Sequence, residues 1–308
     1  MRVVVTGGAG FIGSHVVDAL VARGDEVVVV DSLVRGKREN VSAGAELHVR
    51  DLRDPLDDLF AEVRPSAVFH LAAQADVRVS VASPVDDAAV NVLGTVRILE
   101  EARKHGAQVI FSSTGGAIYG ECLEPARETS PREPLSPYGT AKLAGEEYLA
   151  SFNRLYGTKN VSLRYGNVYG PRQDPHGEAG VVAVFLGALA RGEQATIFGD
   201  GLQTRDYVYV GDVARATLSA LGHDGGVFNV GTGVETSVVE LWRLCAAAAG
   251  SDAEARHAEA RLGELRRSSL DPEHAARELS FRAMVGLEDG LAATWDWVRS
   301  AEDGPEKD

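Results

Sequence analysis

The chain is poor in cysteine, in basic residues and in long apolar runs, and each shortage removes a class of function. Two cysteines in 308 residues, Cys122 and Cys245, cannot build a disulfide framework. No Cys-x-x-Cys pair or Cys/His cluster offers a zinc site, so no metal is expected. The eight histidines are scattered, and His70 and His105 read as structural or surface residues. Lys plus Arg total 31 against 45 Asp plus Glu, a formal charge of −14. Binding to nucleic acid or an anionic membrane needs clustered basic residues, so neither partner is expected. An anionic small molecule stays compatible, because a few placed arginines act locally. Apolar runs such as 27–30 and 181–186 fall far short of the roughly 20 residues that a membrane span needs. Residues 3–5 follow Met1-Arg2 directly, without an apolar leader of the usual length, and a cytoplasmic location is the expectation.

What is present points to an α/β protein. Hydrophobic residues make up 44% of the chain and there are 34 glycines. Short β-branched runs at 3–5, 27–30, 46–49, 67–70, 109–111 and 161–164 read as strands. They are continuously apolar rather than alternating, which predicts burial on both faces. Helical patterns at 13–23, 84–105 and 137–156 lie between them. Strand-helix alternation of this kind predicts a doubly wound parallel sheet with right-handed crossovers. After Tyr165 glycine and proline become frequent, around helices read at 181–191, 237–249 and 286–299. We expect residues 1–165 to form the first domain, with 205–235 returning to it. Residues 166–204 and 236–300 then form a smaller carboxy-terminal lobe, with 246–260 exposed and 301–308 a disordered tail.

Thr6-Gly7-Gly8-Ala9-Gly10-Phe11-Ile12-Gly13 closes the first strand and opens the first helix. Glycines at 7, 10 and 13 permit a tight turn, let backbone approach a pyrophosphate, and pack helix on strand. Asp31 ends the second strand, where an acidic side chain meets the ribose hydroxyls of an adenine nucleotide. A carboxylate there repels a 2′-phosphate and favours NAD over NADP, although Arg35, Lys37 and Arg38 follow closely. Asp51-Leu52 stands after the third strand, where such folds contact adenine.

Tyr138 is the one tyrosine of eight with a lysine, Lys142, four positions on. On a helix the two side chains share a face, and Ser136-Pro137 suits the cap and first turn. A cation near a phenol stabilises the phenolate, so Lys142 is expected to lower the Tyr138 pKa toward the range of a working base. Ser112-Ser113-Thr114 ends the fifth strand, where a hydroxyl is placed to bond a reacting oxygen. Ser112 itself reads as a structural hydroxyl.

Taken together, Thr6–Gly13, Asp31, Asn91, Ser112–Thr114, Tyr138/Lys142 and Leu163-Arg-Tyr-Gly-Asn-Val-Tyr-Gly-Pro-Arg172 resemble the extended short-chain dehydrogenase/reductase family. The resemblance spans roughly residues 1–300. Within the family the chain looks most like nucleotide-sugar 4-epimerases of the UDP-glucose type, and Ser-Thr-Gly-Gly-Ala-Ile-Tyr-Gly, residues 113–120, carries much of that likeness. The resemblance implies a Rossmann-type sheet with a carboxy-terminal substrate-binding lobe, tightly bound NAD, a UDP-sugar substrate, and a homodimer built through the 91–105 and 138–156 helices. It makes Tyr138 the base, Lys142 its modulator and Thr114 the hydroxyl partner. Cofactor contacts are implied at Gly7, Gly10, Phe11, Ile12, Gly13, Asp31, Ser32, Asp51, Leu52, Leu71, Ala72, Ala73, Asn91, Ser112, Tyr138, Lys142 and Tyr165. Asn167 is implied at the diphosphate, Arg205 and Arg261 as its clamp, Glu264 at the nucleotide ribose, and Thr196-Ile197-Phe198 at the uracil. Ser268, seven residues after Arg261, falls at a gate beside the sugar's C2 substituent, where serine leaves room for an N-acetyl group.

The implied reaction interconverts UDP-glucose and UDP-galactose, and their N-acetylated forms, through a 4-keto sugar with no net redox change. Two departures stand out: Leu262 replaces the usual proline, and Ala75 stands where a cofactor-contacting lysine is common. A UDP-glucuronate 4-epimerase is the nearest alternative. A nucleotide-sugar 4,6-dehydratase needs Asp-Glu after the threonine, and here Gly115-Gly116 cannot transfer protons.

Overall fold

The computed structural model describes residues 1–175, 180–260 and 265–302. Among these described residues thirteen strands run in chain order: β1 (Arg2–Thr6), β2 (Glu26–Asp31), β3 (Ala45–Val49), β4 (Ala67–His70), β5 (Gln108–Thr114), β6 (Val161–Tyr165), β7 (Asn167–Tyr169), β8 (Thr196–Phe198), β9 (Thr204–Tyr209), β10 (Gly226–Val230), β11 (Glu235–Ser237), β12 (Arg256–Ala258) and β13 (Arg267–Ser268). Seven form one sheet in the order β10-β6-β5-β4-β1-β2-β3, and every neighbouring pair in it is parallel. The strand order reverses between β1 and β4, and a crevice opens at the carboxyl ends of the strands at such a point.

The apolar strand runs follow from this layering. Successive side chains of a strand point to opposite faces. Val3 and Val5 pack with Val16, Val17 and Leu20 of the helix Phe11–Ala22. Val4 packs on the other face with Phe60, Ile98, Leu99 and Leu149. β3 departs from the expectation of two-sided burial: it is an edge strand, and Val49 is exposed. Beyond β6, β9 pairs with β7, β11 and β13, and β8 pairs with β12. A separate apolar cluster of Phe185, Leu186, Leu241, Trp242, Cys245 and Leu291 supports these small sheets. Ala246, expected in an exposed stretch, is buried on the helix Val238–Ala248, which carries Leu241, Trp242 and Cys245 of that cluster.

One predicted helix is broken. Residues 84–105 divide into Pro84–Ala88, a single π turn at Ala89–Leu93, and Gly94–Lys104. The π turn carries Asn91, and such insertions occur often at functional sites. A helix that patterning did not reveal, Val77–Ala82, precedes it, capped by the Asp76 side chain, which accepts from Arg78 N and Val79 N.

Candidate active site

The glycine loop forms a cradle at the switch point. Gly7 has φ +73°, and a Cβ there would lie 2.6 Å from Ala72 N. A Cβ on Gly13 would lie 2.0 Å from Gly7 O. The loop therefore closes onto its neighbours only without side chains. Gly10 caps the helix Phe11–Ala22 without a side chain, so no cap competes for the free first-turn amides, and such a helix start suits an anion. Asp31 is buried beneath this loop, accepting from Ala9 N at 3.0 Å and Leu33 N at 2.9 Å. The cradle and the acidic strand end suit a dinucleotide. Ser32 is exposed beside Asp31. Asp51 accepts from Nε and Nη2 of Arg53, which keep its carboxyl below the usual range, and Leu52 is buried.

Leu71, Ala72 and Ala73 continue from β4. Leu71 N donates to Thr6 O, and Ala72 N donates to the Thr6 hydroxyl at 3.3 Å. His70 braces this corner. Its Nδ1 bonds Thr6 Oγ1 at 2.7 Å and its Nε2 bonds Thr95 Oγ1 at 3.0 Å. The Thr95 hydroxyl already donates to Asn91 O, so it accepts from Nε2–H, and Nδ1 accepts from Thr6. Burial drives the imidazole down to about 3, which keeps this tautomer uncharged. Asn91 holds the next segment: its amide accepts from Gln74 N at 2.9 Å and donates to Gln74 O at 2.8 Å.

Ser136 caps the helix Pro137–Tyr156 by accepting from Gly139 N, with Pro137 in the first turn. That helix lays Tyr138 into a cavity of about 290 Å³ beside Ser112, Thr114, Tyr165, Asn167, Phe11 and Ile12. Tyr165 is fixed by its hydroxyl, 2.8 Å from Thr217 Oγ1. Ala75 lines the same cavity, so a lysine at this position would reach into it. Gly115 and Gly116 stand where a dehydratase would carry its acid pair, and neither can transfer a proton. A Cβ on Gly115 would meet Leu270 at 2.6 Å, and one on Gly116 would lie 3.4 Å from Asn167 Oδ1.

Lys142 does not lower the Tyr138 pKa as the sequence suggested. Burial, followed by the negative charge of Asp87, pushes the phenol above its ordinary range. The ammonium is directed elsewhere: Nζ donates to Ser112 O at 2.7 Å and lies 4.7 Å over the Phe111 ring, against 6.0 Å from the Tyr138 ring centre. Burial also pulls Lys142 down to about 8.

Two groups that sequence reasoning passed over brace the catalytic elements. Glu146, one turn beyond Lys142, and Arg164, on β6, form a buried ion pair with each side chain 2% exposed. Arg164 Nε and Nη2 grip the carboxylate at 2.9 and 2.5 Å. Ser113 Oγ donates to Glu146 Oε1 at 2.5 Å, and Arg164 Nη1 donates to the Tyr119 hydroxyl at 2.6 Å. This network ties the strand end bearing Thr114 to the helix bearing Tyr138 and Lys142. The second group, Asp87, is also buried.

Of the residues implied for the sugar nucleotide, Asn167 lines the cavity and Arg205 lies on β9 with Nη1 donating to Thr204 O. Thr196 accepts from Arg256 Nε at 2.8 Å, and Ile197 between it and Phe198 is buried. Ser268 lies on β13 opposite Arg205 and is 5% exposed. Arg261 and Glu264 lie outside the described residues, as does Leu262.

Comparison with known proteins agrees with this geometry. A UDP-glucose 4-epimerase from Thermotoga maritima, solved with UDP-glucose, is 48% identical with a TM-score of 0.96, covering 98% of this chain and 100% of its own. The UDP-glucose 4-epimerase of Thermus thermophilus, in complex with NAD, is 50% identical with a TM-score of 0.93 over the same shares. A UDP-N-acetylglucosamine 4-epimerase from Methanobrevibacter ruminantium, in complex with UDP-N-acetylmuramic acid, is 35% identical with a TM-score of 0.92, covering 97% and 98%. The model of the NAD dependent epimerase/dehydratase family matches residues 3–231. With the glycine cradle at the switch point and a tyrosine-lysine helix beside it, the chain belongs to that family.

Proposed function

We propose that the protein is a UDP-glucose 4-epimerase that works with NAD at the junction of residues 1–165 and 205–235 with a sugar-nucleotide lobe formed by 166–204 and 236–300. The observation that carries this reading is the convergence of Tyr138, Thr114 and Asn167 on one cavity, with glycines at 115 and 116 in place of a dehydratase's acid pair. The T. maritima and T. thermophilus enzymes support UDP-glucose and NAD respectively.

In the proposed mechanism the chain supplies positioning and proton transfer. NAD⁺, when bound, supplies a positively charged two-electron acceptor. Gly7, Gly10 and Gly13 admit its pyrophosphate, and Asp31 receives the adenosine ribose. Thr114 orients the sugar's 4-hydroxyl, and Tyr138 takes that proton and later returns it. Lys142 is the cation available to Tyr138 once it is drawn from Ser112 O. Arg205 and Arg261 neutralise the substrate diphosphate, and Asn167 and Glu264 complete the nucleotide contacts. Incubating the enzyme with UDP-galactose and separating the products is expected to give UDP-glucose at equilibrium. A 4-keto-6-deoxy product would instead identify a dehydratase, and turnover confined to UDP-glucuronate would identify the uronate epimerase.

Ser268 extends the reading to N-acetylated substrates, and the M. ruminantium relative supports it. Replacing serine by tyrosine overfills a packed site by about 1–3 kcal/mol, or roughly 5–150-fold in rate. Ser268→Tyr is therefore expected to slow UDP-N-acetylglucosamine turnover by that factor while sparing UDP-glucose, as parallel assays would measure. Equal slowing of both substrates would remove Ser268 from the gate.

The same reading makes the enzyme a cytoplasmic homodimer. The resemblance carries the compartment. For the dimer, an apolar groove of about 510 Å³ lined by Pro84, Ala88, Val92, Leu135 and Ala144 runs along the expected helices, with Val85 80% and Leu93 55% exposed beside it.

A further inference from the structure

Asp87 has no part in the mechanism above, yet it puts a buried negative charge against the catalytic helix. It lies on the short helix Pro84–Ala88 and is 1% exposed. Its Oδ1 accepts from Gln74 Nε2 at 3.1 Å and Asn91 Nδ2 at 3.0 Å. Its Oδ2 is buried with no hydrogen-bond partner among the described residues. Burying a carboxylate oxygen without a donor is costly, and packing alone gives no reason for it. The helix packs against Pro137–Tyr156, and Asp87 walls one cavity with Pro137, Thr140 and Ala141 of that helix.

We propose that Asp87 is an electrostatic positioning residue of the epimerisation, its carboxylate held by Asn91 and Gln74 against the helix that carries Tyr138 and Lys142. The proposal rests on Tyr138 and Lys142 being the acid-base pair. A phenol that takes a proton in one half of the reaction must return it in the other, and a group near the working pH does both. Lys142, once drawn from Ser112 O, and an oxidised cofactor both favour phenolate. Asp87 opposes them, lifting Tyr138, and it supports the charge on Lys142 against burial.

The other groups facing the pair do not replace it. Glu146, on the same helix, also favours the Lys142 ammonium, but Arg164 already holds its carboxylate. His70 on β4 is kept neutral by burial, and the Tyr165 phenol on β6 is pushed up by burial and stays uncharged. From the helix Val77–Ala82, Arg78 pairs with Asp76 and is exposed. Asp86, next to Asp87, is exposed.

Asp87→Asn keeps an acceptor for Gln74 and Asn91 and removes only the charge. The expected result is a displacement of both limbs of the kcat–pH profile, acidic and basic, to lower pH together. An ultraviolet difference titration of protein stripped of cofactor, taken against Tyr138→Phe, should show Tyr138 ionising at lower pH in the variant. If Asp87→Asn does not fold, Asp87→Ser, which also retains an oxygen acceptor, is put through both measurements. An unmoved profile together with an unmoved titration would overturn the proposal and leave Asp87 as a brace for Asn91. Full activity in Tyr138→Phe would overturn the acid-base assignment instead, whatever Asp87 does.

Discussion

Tyr138→Phe is expected to bind NAD as the wild type does and to lose about 10²–10⁴-fold in kcat, the usual contribution of a positioned acid-base group. The Tyr138 phenol shares the 290 Å³ cavity with Thr114. His70 is buried behind the cofactor corner and kept neutral, and Glu146 is sealed by Arg164, so neither can substitute as base. The glycine cradle and Asp31 lie in other elements, which is why cofactor affinity should survive. Steady-state kinetics with UDP-galactose, alongside calorimetric titration of NAD, separate the two effects. Epimerisation near the wild-type rate would remove Tyr138 from the mechanism.

The second large effect concerns the brace behind the site. Glu146→Ala leaves the Arg164 guanidinium buried without its carboxylate, and breaking a buried pair in this way typically costs about 3–5 kcal/mol. Ser113 would lose its acceptor as well, and with it the fixed spacing between Thr114 and the helix carrying Tyr138. Denaturant unfolding is expected to show that loss. Replacing both partners, Glu146→Leu with Arg164→Met, is expected to recover much of the stability, because no unpaired charge then stays buried. Equal destabilisation in the single and double variants would mean that packing volume, not charge pairing, holds the elements together.

Local chemistry is what the sequence made legible. A glycine loop between a strand and a helix needs only eight contiguous residues, and Tyr138 with Lys142 needs one helical turn. Both elements form where patterning placed them, as the parallel sheet does. The π turn was not legible, because Ala89–Leu93 carries the same apolar periodicity as the helices flanking it. Glu146 reads as a solvent-facing helical glutamate until β6 brings Arg164 against it from 18 residues away. Asp87 gives no sequence signal, since its meaning lies in an oxygen without a donor. The direction of the Tyr138 shift failed for a related reason. Spacing places a lysine on the same helix face, but only tertiary packing shows that Ser112 O and the Phe111 ring draw the ammonium away.

The central claim is that one cavity oxidises and re-reduces the same carbon, with Tyr138 moving the proton and no net redox change. UDP-galactose deuterated at C4, mixed with carbon-13-labelled UDP-galactose lacking deuterium, tests it directly when the UDP-glucose formed is analysed by mass spectrometry. The account predicts deuterium retained in UDP-glucose that carries no carbon-13, with no label lost to solvent. Deuterium exchanged into water, or transferred to the carbon-13 pool, would contradict it.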